Sequence, residues 1–275
     1  MSRYEAMFQA LAARGEGAFG AFVTLGDPDL ETSAVILDAL VEAGADMLEV
    51  GIPFSDPVAD GPVIQAAAVR ALERGVTPAD CFELLRAFRS RHPEVPVGLL
   101  TYANLVVARG RNAFYQAAAQ AGVDSVLVAD VPMIEAEPWL TAARRAGVAP
   151  VMIAAPNTPE PTLRRIAAAG EGYTYCVARA GVTGADQEVS FGHSQLLGTL
   201  RAFGAPPPVF GFGISRPEHV ALALEAGAAG VISGSAIVRL IADNPGAEAE
   251  AVRAFVAGMK AATRISGGGR RSAGR

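Results

Sequence analysis

The feature that most constrains the fold is a unit that recurs along the chain: a short apolar run, a helical stretch, and a glycine before the next apolar run. The phrase Ala-Gly-(Ala/Val) marks this junction at 43–45, 121–123, 146–148 and 226–228. Such alternation is typical of a parallel sheet with helical crossovers. The spacing predicts eight strands, at 20–24, 46–50, 97–101, 125–129, 150–153, 173–177, 209–212 and 230–232.

Eight strand–helix repeats in 275 residues favour a closed (β/α)8 barrel, the α/β TIM-barrel architecture. An open doubly wound sheet is the alternative, and it is weaker because no Gly-x-Gly-x-x-Gly follows the first strand. We predict an extra N-terminal helix at 2–13 and extra helices after the second and eighth strands. Residues 1–265 are assigned to one catalytic barrel domain, and the Gly/Ser/Arg tail at 266–275 is predicted to be disordered.

Composition excludes several classes of protein. The formal net charge is −5, which argues against a nucleic-acid-binding surface. The N-terminus lacks the apolar core of a signal peptide, and no apolar run is long enough to cross a membrane. Two cysteines, Cys81 and Cys176, are too few for a disulfide framework. We therefore expect a cytoplasmic protein with neither a nucleic-acid nor a membrane partner.

One segment, 49–62 (EVGIPFSDPVADGP), combines a strand end with a loop rich in proline, glycine and aspartate. It carries two carboxylates, Glu49 on the strand and Asp60 on the loop. Glu49 shares a face of its strand with Met47, so partial burial would raise its pKa toward the range of a proton shuttle. The alternative for Glu49 is an ion pair with an arginine, which would lower that pKa. The alternative for Asp60 is ordinary turn chemistry.

The last three loops of the predicted barrel are rich in glycine. They read Gly-Val-Thr-Gly at 181–184, Gly-Phe-Gly-Ile-Ser at 211–215 and Ser-Gly-Ser at 233–235, where a short helix begins. Glycine lets backbone amides approach an anion, and a helix N-terminus offers unpaired N–H groups. Tight turns alone would also explain one such loop. Because the three are expected on one rim, we predict a phosphate site there.

The scarcity of two residue types removes whole mechanisms. Lys260 is the single lysine and is expected in the last long helix, so a Schiff-base or pyridoxal mechanism lacks its amine. His92, His193 and His219 are not spaced as metal ligands, and none ends a strand. We therefore predict neither a metal nor a cofactor, and acid–base chemistry by carboxylates.

Seven segments resemble the tryptophan synthase α subunit family, and they follow one another along the chain in the family's order and at its spacing. The most specific is 49–62, and the others are FVTLGDP (22–28), GLLTYANLV (98–106), GVDSVLVADVP (122–132), GYTYCVARAGVTGA (172–185), GFGIS (211–215) and ISGSAIV (232–238). The resemblance implies a metal-free carbon–carbon lyase of tryptophan biosynthesis. Its reaction would be the retro-aldol cleavage of indole-3-glycerol phosphate to indole and glyceraldehyde 3-phosphate.

The same resemblance implies roles for individual residues. Glu49 would shuttle protons, and Asp60 would hydrogen-bond the indole N–H. The residues matched to substrate contacts are Phe22, Leu100, Tyr102, Tyr175, Thr183, Gly184, Phe212, Gly213, Ile232, Gly234 and Ser235.

The resemblance also implies a partner, the pyridoxal-phosphate β subunit, in an αββα heterotetramer. The loop with Pro53 and Asp56, and the segment from Asn104, match the family's contact surface. Three other functions stay open from sequence: a stand-alone indole-releasing lyase, a non-catalytic binder of a phosphate ligand, and a sugar-phosphate isomerase on the same barrel.

Overall fold

The fold, taken from a computed structural model, is described for residues 1–177 and 194–264. The predicted tail at 266–275 lies outside these residues, as do Thr183 and Gly184. Within the described ranges the strands form one sheet of parallel neighbours, in the order β5-β4-β3-β2-β1-β9-β8-β7-β6. The strands are β1 Ala18–Thr24, β2 Met47–Gly51, β3 Val97–Thr101, β4 Ser125–Val128, β5 Ala149–Pro150, β6 Met152–Ala154, β7 Thr174–Val177, β8 Pro208–Gly211 and β9 Gly230–Ser233.

The sheet closes on itself through a divided fifth strand. β5 pairs with β4 and β6 pairs with β7, and only Val151 separates the two pieces. The TIM barrel predicted from sequence is therefore confirmed. The single fifth strand predicted at 150–153 is instead two short pieces. Pro150 has no backbone N–H, so it cannot donate to a neighbouring strand, and the ladder is interrupted there.

Helices surround the barrel. They are α1 Arg3–Ala13, α2 Leu30–Glu42, α3 Pro62–Glu73, α4 Pro78–Arg91, α5 Ala103–Val107, α6 Arg111–Gln120, α7 Glu137–Ala146, α8 Glu160–Ala169, α9 Ser194–Ala202, α10 Pro217–Glu225, α11 Ser235–Asp243 and α12 Glu248–Ala261. Thr77 begins α4 with a capping box, its side chain accepting the Asp80 amide. Gly147 ends α7 in the left-handed conformation, φ 72°, which explains glycine at that junction. The short α5 was not predicted.

Alternation along the strands separates two apolar layers. On β2, Leu48 and Val50 pack outward among the helices, whereas Met47 packs inside the barrel. Phe22, Tyr173, Val209 and Ile232 belong to the same interior layer as Met47. Glu49 was predicted to share the face of Met47. Because Met47 packs inside the barrel, the Glu49 carboxylate also lies there.

Helix α1 covers the N-terminal end of the barrel. The Tyr4 hydroxyl lies 2.8 Å from the Ser125 hydroxyl at the start of β4. The Arg3 guanidinium lies 2.7 Å from the Asp124 carboxylate, which precedes β4. Access to the interior is therefore left to the opposite end, where the strands finish.

Candidate active site

A cavity of about 590 Å³, part of it open to solvent, lies at the carboxyl ends of the strands. Its wall is built from strand ends, the loops that follow them and the start of α11. The lining residues are Phe22, Glu49, Asp60, Ile64, Leu100, Tyr175, Phe212, Gly213, Ile214, Ser215, Ile232, Gly234, Ser235 and Ala236. This is the end of a TIM barrel at which loops can vary without disturbing the core.

Glu49 is 1% exposed, and its carboxylate accepts a hydrogen bond of 2.7 Å from the Tyr173 hydroxyl. Burial raises the pKa of Glu49 to about 7, against a smaller lowering by the Tyr173 hydroxyl, and the nearby Asp60 carboxylate raises it further. The arginine ion pair considered from sequence is not found for Glu49 among the described residues. A carboxyl group with this pKa can both give and accept a proton near neutral pH.

Asp60 lies on the loop between β2 and α3, at the cavity wall. Burial raises its pKa, although a hydrogen bond from the Tyr102 hydroxyl acts in the opposite direction. The same hydroxyl accepts the Ala59 amide at 3.3 Å, and the Tyr102 ring stacks on Phe54 at 5.3 Å. Tyr102 thus contacts the Asp60 loop. It is not among the described residues that line the cavity, and its match to a substrate contact stays a prediction.

The glycine-rich rim is formed by the loop after β8 and the start of α11. Phe212 has φ 66°, and it is the only non-glycine with positive φ in the described part of the chain. Its ring meets the Tyr175 ring edge to face at 5.8 Å. The Ser233 hydroxyl donates to the Ile214 carbonyl at 2.6 Å. Strained backbone of this kind persists when its surroundings hold it, and it is concentrated at functional sites.

Helix α11 points its N-terminus into this part of the cavity. Gly234, Ser235 and Ala236 line the wall, and Gly234 is the N-cap without a side-chain hydrogen bond. The first amides of a helix have no partner within the helix and lie at the positive end of its dipole. This end of the cavity therefore suits an anion. A Cβ added at Gly234 would lie 3.3 Å from the Phe22 ring, so a larger residue would crowd the wall.

Eight of the residues matched to substrate contacts line the cavity: Phe22, Leu100, Tyr175, Phe212, Gly213, Ile232, Gly234 and Ser235. Four lining residues were missed: Ile64, Ile214, Ser215 and Ala236. Ile214, Ser215 and Ala236 lie within two positions of a predicted glycine and could have been included on that ground. Ile64 lies in the first turn of α3, and only its apolar side chain directly after the Asp60 loop could have indicated it.

Lys260, the single lysine, lies away from the cavity. Lys260 pairs with Asp46, just before β2, at 2.8 Å and with Glu16 at 3.2 Å. It is therefore at the end of the barrel opposite the cavity. No group of three or more His, Cys, Asp or Glu suited to a metal occurs in residues 1–177 and 194–264. In those same ranges, no helix is long and apolar enough to cross a membrane.

Comparison with known proteins identifies the family of the chain. The family model described as the tryptophan synthase alpha chain matches residues 8–264. The alpha chain of Shewanella oneidensis is 55% identical over 95% of both chains, and that of Klebsiella pneumoniae is 55% identical over 97% of this chain and all of the relative.

Solved structures agree in both fold and family. The Legionella pneumophila alpha subunit matches with a TM-score of 0.86 at 31% identity, covering 96% of this chain and 98% of that one. A chain of Mycobacterium tuberculosis tryptophan synthase matches with a TM-score of 0.87 at 30% identity, covering 96% and 99%. The chain belongs to the tryptophan synthase alpha chain family, the lyases of tryptophan biosynthesis that cleave indole-3-glycerol phosphate.

Proposed function

We propose that the cavity at the carboxyl ends of the strands cleaves indole-3-glycerol phosphate, with Glu49 and Asp60 as its acid–base pair. The observation that carries this assignment is a buried carboxyl group, Glu49, with a pKa of about 7, sharing one cavity with Asp60. The catalytic domain is taken as residues 1–265.

The reaction needs one proton moved onto the ring and one moved away from the side chain. Protonation of indole carbon 3 turns the ring into a cation and weakens its bond to the glycerol carbon. Loss of the hydroxyl proton on that carbon then gives the aldehyde, and the electron pair of the broken bond returns to the ring. Protons balance over the two steps, so the enzyme needs a group that both donates and accepts.

Glu49 suits this exchange because its pKa of about 7 leaves both protonation states populated near neutral pH. The Tyr173 hydroxyl donates to the ionised carboxylate and orients it. In the low-dielectric interior, a proton held by Glu49 is transferred without competition from bulk water.

Asp60 suits the stabilisation of the ring cation. Asp60 lines the cavity, and although burial raises its pKa, a hydrogen bond from Tyr102 acts against that rise. An anionic acceptor for the indole N–H becomes a stronger partner as positive charge develops on the ring, so it lowers the barrier more than it tightens ground-state binding. Phe22, Leu100 and Ile232 provide apolar wall for the ring.

The phosphate is assigned to the rim formed by Gly213, Gly234 and Ser235. Backbone amides and the α11 dipole would bind it there, since none of the described lining residues has a cationic side chain. Thr183 and Gly184 are proposed to complete this end, although they lie outside the described residues.

Two substitutions test the acid–base pair, and each has a matched control. Glu49→Gln and Asp60→Asn should each lower kcat at least about 100-fold, while binding of glycerol 3-phosphate stays within about twofold. Glu42→Gln and Asp243→Asn change exposed carboxylates away from the cavity and should leave kcat unchanged. Retained turnover by Glu49→Gln would remove Glu49 from the proton transfer. Substrate binding without indole release by the wild-type chain would favour the non-catalytic binder.

We further propose that the chain works with a tryptophan synthase β subunit in an αββα assembly. Three consecutive loops on one side of the cavity mouth expose large apolar side chains: Val58 after β2, Val107 after β3 and Ile134 after β4. Pro53, Asp56 and Asn104, matched to the family contact surface, lie in the same segments. Exposed apolar residues grouped on adjacent loops favour a protein interface.

Changing the apolar contact tests this surface. Val58→Asp and Ile134→Asp should weaken binding to a β subunit at least about tenfold, whereas Leu222→Asp, on the exposed face of α10, should not. Indole release should be slow for the chain alone and rise when the β subunit is added. Fast release alone, with no response to the partner, would instead favour a stand-alone lyase.

A cytoplasmic location is also proposed. Cys81 and Cys176 are free and buried, so neither is used in a disulfide that would need an oxidising compartment. Cell fractionation with an antibody to the chain would test this directly, and recovery with periplasmic markers would contradict it.

A further inference from the structure

A histidine that the reaction does not use lies directly behind the rim of the cavity. His219 is in the first turn of α10 and is 8% exposed. Its Nδ1 lies 3.3 Å from the amide nitrogen of Ser215, and a backbone hydrogen bond also joins the ring to Gly213. Both Gly213 and Ser215 line the cavity. The ring is therefore attached to the rim loop from its outer side.

Arg216 lies against the other ring nitrogen. Nε2 lies 3.1 Å from Nη2 and 3.3 Å from Nε of that side chain. A guanidinium and a backbone amide can only donate, and a neutral imidazole has one acceptor nitrogen. The ring therefore accepts either from Arg216 at Nε2 or from Ser215 at Nδ1, and its single N–H is on the other nitrogen. In both tautomers Nδ1 faces the rim loop. Burial and Arg216 both lower the pKa of His219, whereas the Gly213 backbone and the Glu218 carboxylate act in the opposite direction.

The loop between these contacts is also held from β9. The Ser233 hydroxyl donates to the Ile214 carbonyl at 2.6 Å. Side chains of His219 and Ser233 thus engage three successive loop residues, at 213, 214 and 215, on the side away from the cavity. The loop contains the left-handed pair Phe212 and Gly213, whose conformation its surroundings must hold.

We propose that His219 is a positioning residue for the anion end of the cavity. From behind the rim it fixes the Gly213–Ser215 loop in the conformation that meets the phosphate of the substrate. This rests on the assignment of the phosphate to that rim. His219 touches neither the substrate nor Glu49, so its effect falls on recognition of the phosphate and leaves the proton transfers intact.

The test compares ligands with and without a phosphate. His219→Leu keeps an apolar side chain of similar size but removes both polar contacts. We expect it to weaken binding of glycerol 3-phosphate about tenfold and to raise KM for indole-3-glycerol phosphate by a similar factor. Binding of indole should change less than twofold, and kcat less than threefold. His219→Gln, which can still reach the loop amide, should restore binding to within about threefold of wild type.

Two controls separate this inference from the assignments on which it rests. His92→Leu removes a histidine bonded to Asp38, outside the cavity, and should leave all four constants unchanged. If the wild-type chain releases indole but does not bind glycerol 3-phosphate, the phosphate rim is wrong and His219 has nothing to position.

If wild type binds glycerol 3-phosphate and His219→Leu binds it equally well, only the role of His219 is overturned. Equal weakening of glycerol 3-phosphate and indole would likewise overturn it, since that pattern indicates a general loss of structure. Should His219→Leu not fold, Arg216→Met provides the same comparison from the other side of the ring.

Discussion

Replacing Glu49 with glutamine should stabilise the protein at alkaline pH, even though it removes the proposed proton shuttle. The carboxyl group has a pKa of about 7 in the folded chain against 4.5 for the ordinary side chain, mainly because it is buried. Each pH unit between folded and unfolded pKa values corresponds to ~1.4 kcal/mol, so ionised Glu49 costs on the order of 3 kcal/mol. Glutamine has nearly the same shape and keeps an oxygen that can accept the Tyr173 hydroxyl.

The sign of the pH dependence follows from which state binds the proton more tightly. Because the folded pKa is the higher one, the folded state holds more protons between pH 4.5 and 7, and stability falls as pH rises through that interval. Below the interval Glu49 is neutral in both states and the cost vanishes. Above it, the cost is complete.

The assay is urea unfolding of wild type and Glu49→Gln at pH 5 and pH 8.5. The advantage of the variant should be greater at pH 8.5 by about 2–3 kcal/mol. Glu42→Gln, at an exposed position, should show no such difference. An advantage that is the same at both pH values would refute the reasoning, because a packing change has no reason to follow the titration of Glu49. A wild type that is relatively more stable at pH 8.5 would refute its sign.

Three further changes test neighbouring contacts. Tyr173→Phe removes the hydrogen bond that lowers the pKa of Glu49, so this pKa should rise further, and the pH–rate profile for kcat should move to higher pH, whereas Tyr115→Phe on the outer layer should not shift it. A methyl group added at Gly211 would overlap the Tyr175 ring, so Gly211→Ala should lose most activity and the double variant with Tyr175→Leu should regain part of it. Arg70→Met leaves the buried Asp27 carboxylate without its two hydrogen bonds of 2.7 and 2.8 Å, and should lower the unfolding free energy by about 3 kcal/mol. Arg86→Met, which breaks a pair in solvent, should change the unfolding free energy much less.

Sequence patterns predicted the barrel because the same two apolar periods, one typical of a strand and one typical of a helix, recur in every repeat. Period 2 along β2 also gave the side of the strand on which Glu49 lies. The patterns could not predict that the fifth strand is divided, because Val151 at the division is as apolar as its neighbours. The division is visible only in the pairing: the piece with Pro150 pairs with β4, and the piece after Val151 pairs with β7. The short α5 was missed because five residues are too few to show helical periodicity.

The site was harder to predict for a different reason. Glu49 was correctly predicted to share the buried face of Met47, but its environment is set by residues far along the chain. Tyr173, its hydrogen-bond partner, lies 124 positions away, and the sequence alone left an arginine pair equally open. The hydrogen bond from the Tyr102 hydroxyl to Asp60 likewise joins residues 42 positions apart, and no pattern in the sequence indicated it. His219 gave no signal, because a histidine in a surface helix has many ordinary roles.

Helix α1 shows how an element outside the repeat can set the chemistry of the site. Tyr4 is 1% exposed, and its ring lies 5.4 Å from the ring of Tyr173, whose hydroxyl bonds Glu49. The Tyr4 hydroxyl is in turn held by Ser125, and a Cβ at Gly98 would come within 3.4 Å of all three hydroxyls. The side chains of Tyr4, Ser125 and Tyr173 pack together beneath Glu49 and exclude water from the N-terminal end of the barrel interior. Since burial is the largest cause of the raised pKa, the N-terminal helix supports the proposed proton transfer although none of its residues lines the cavity.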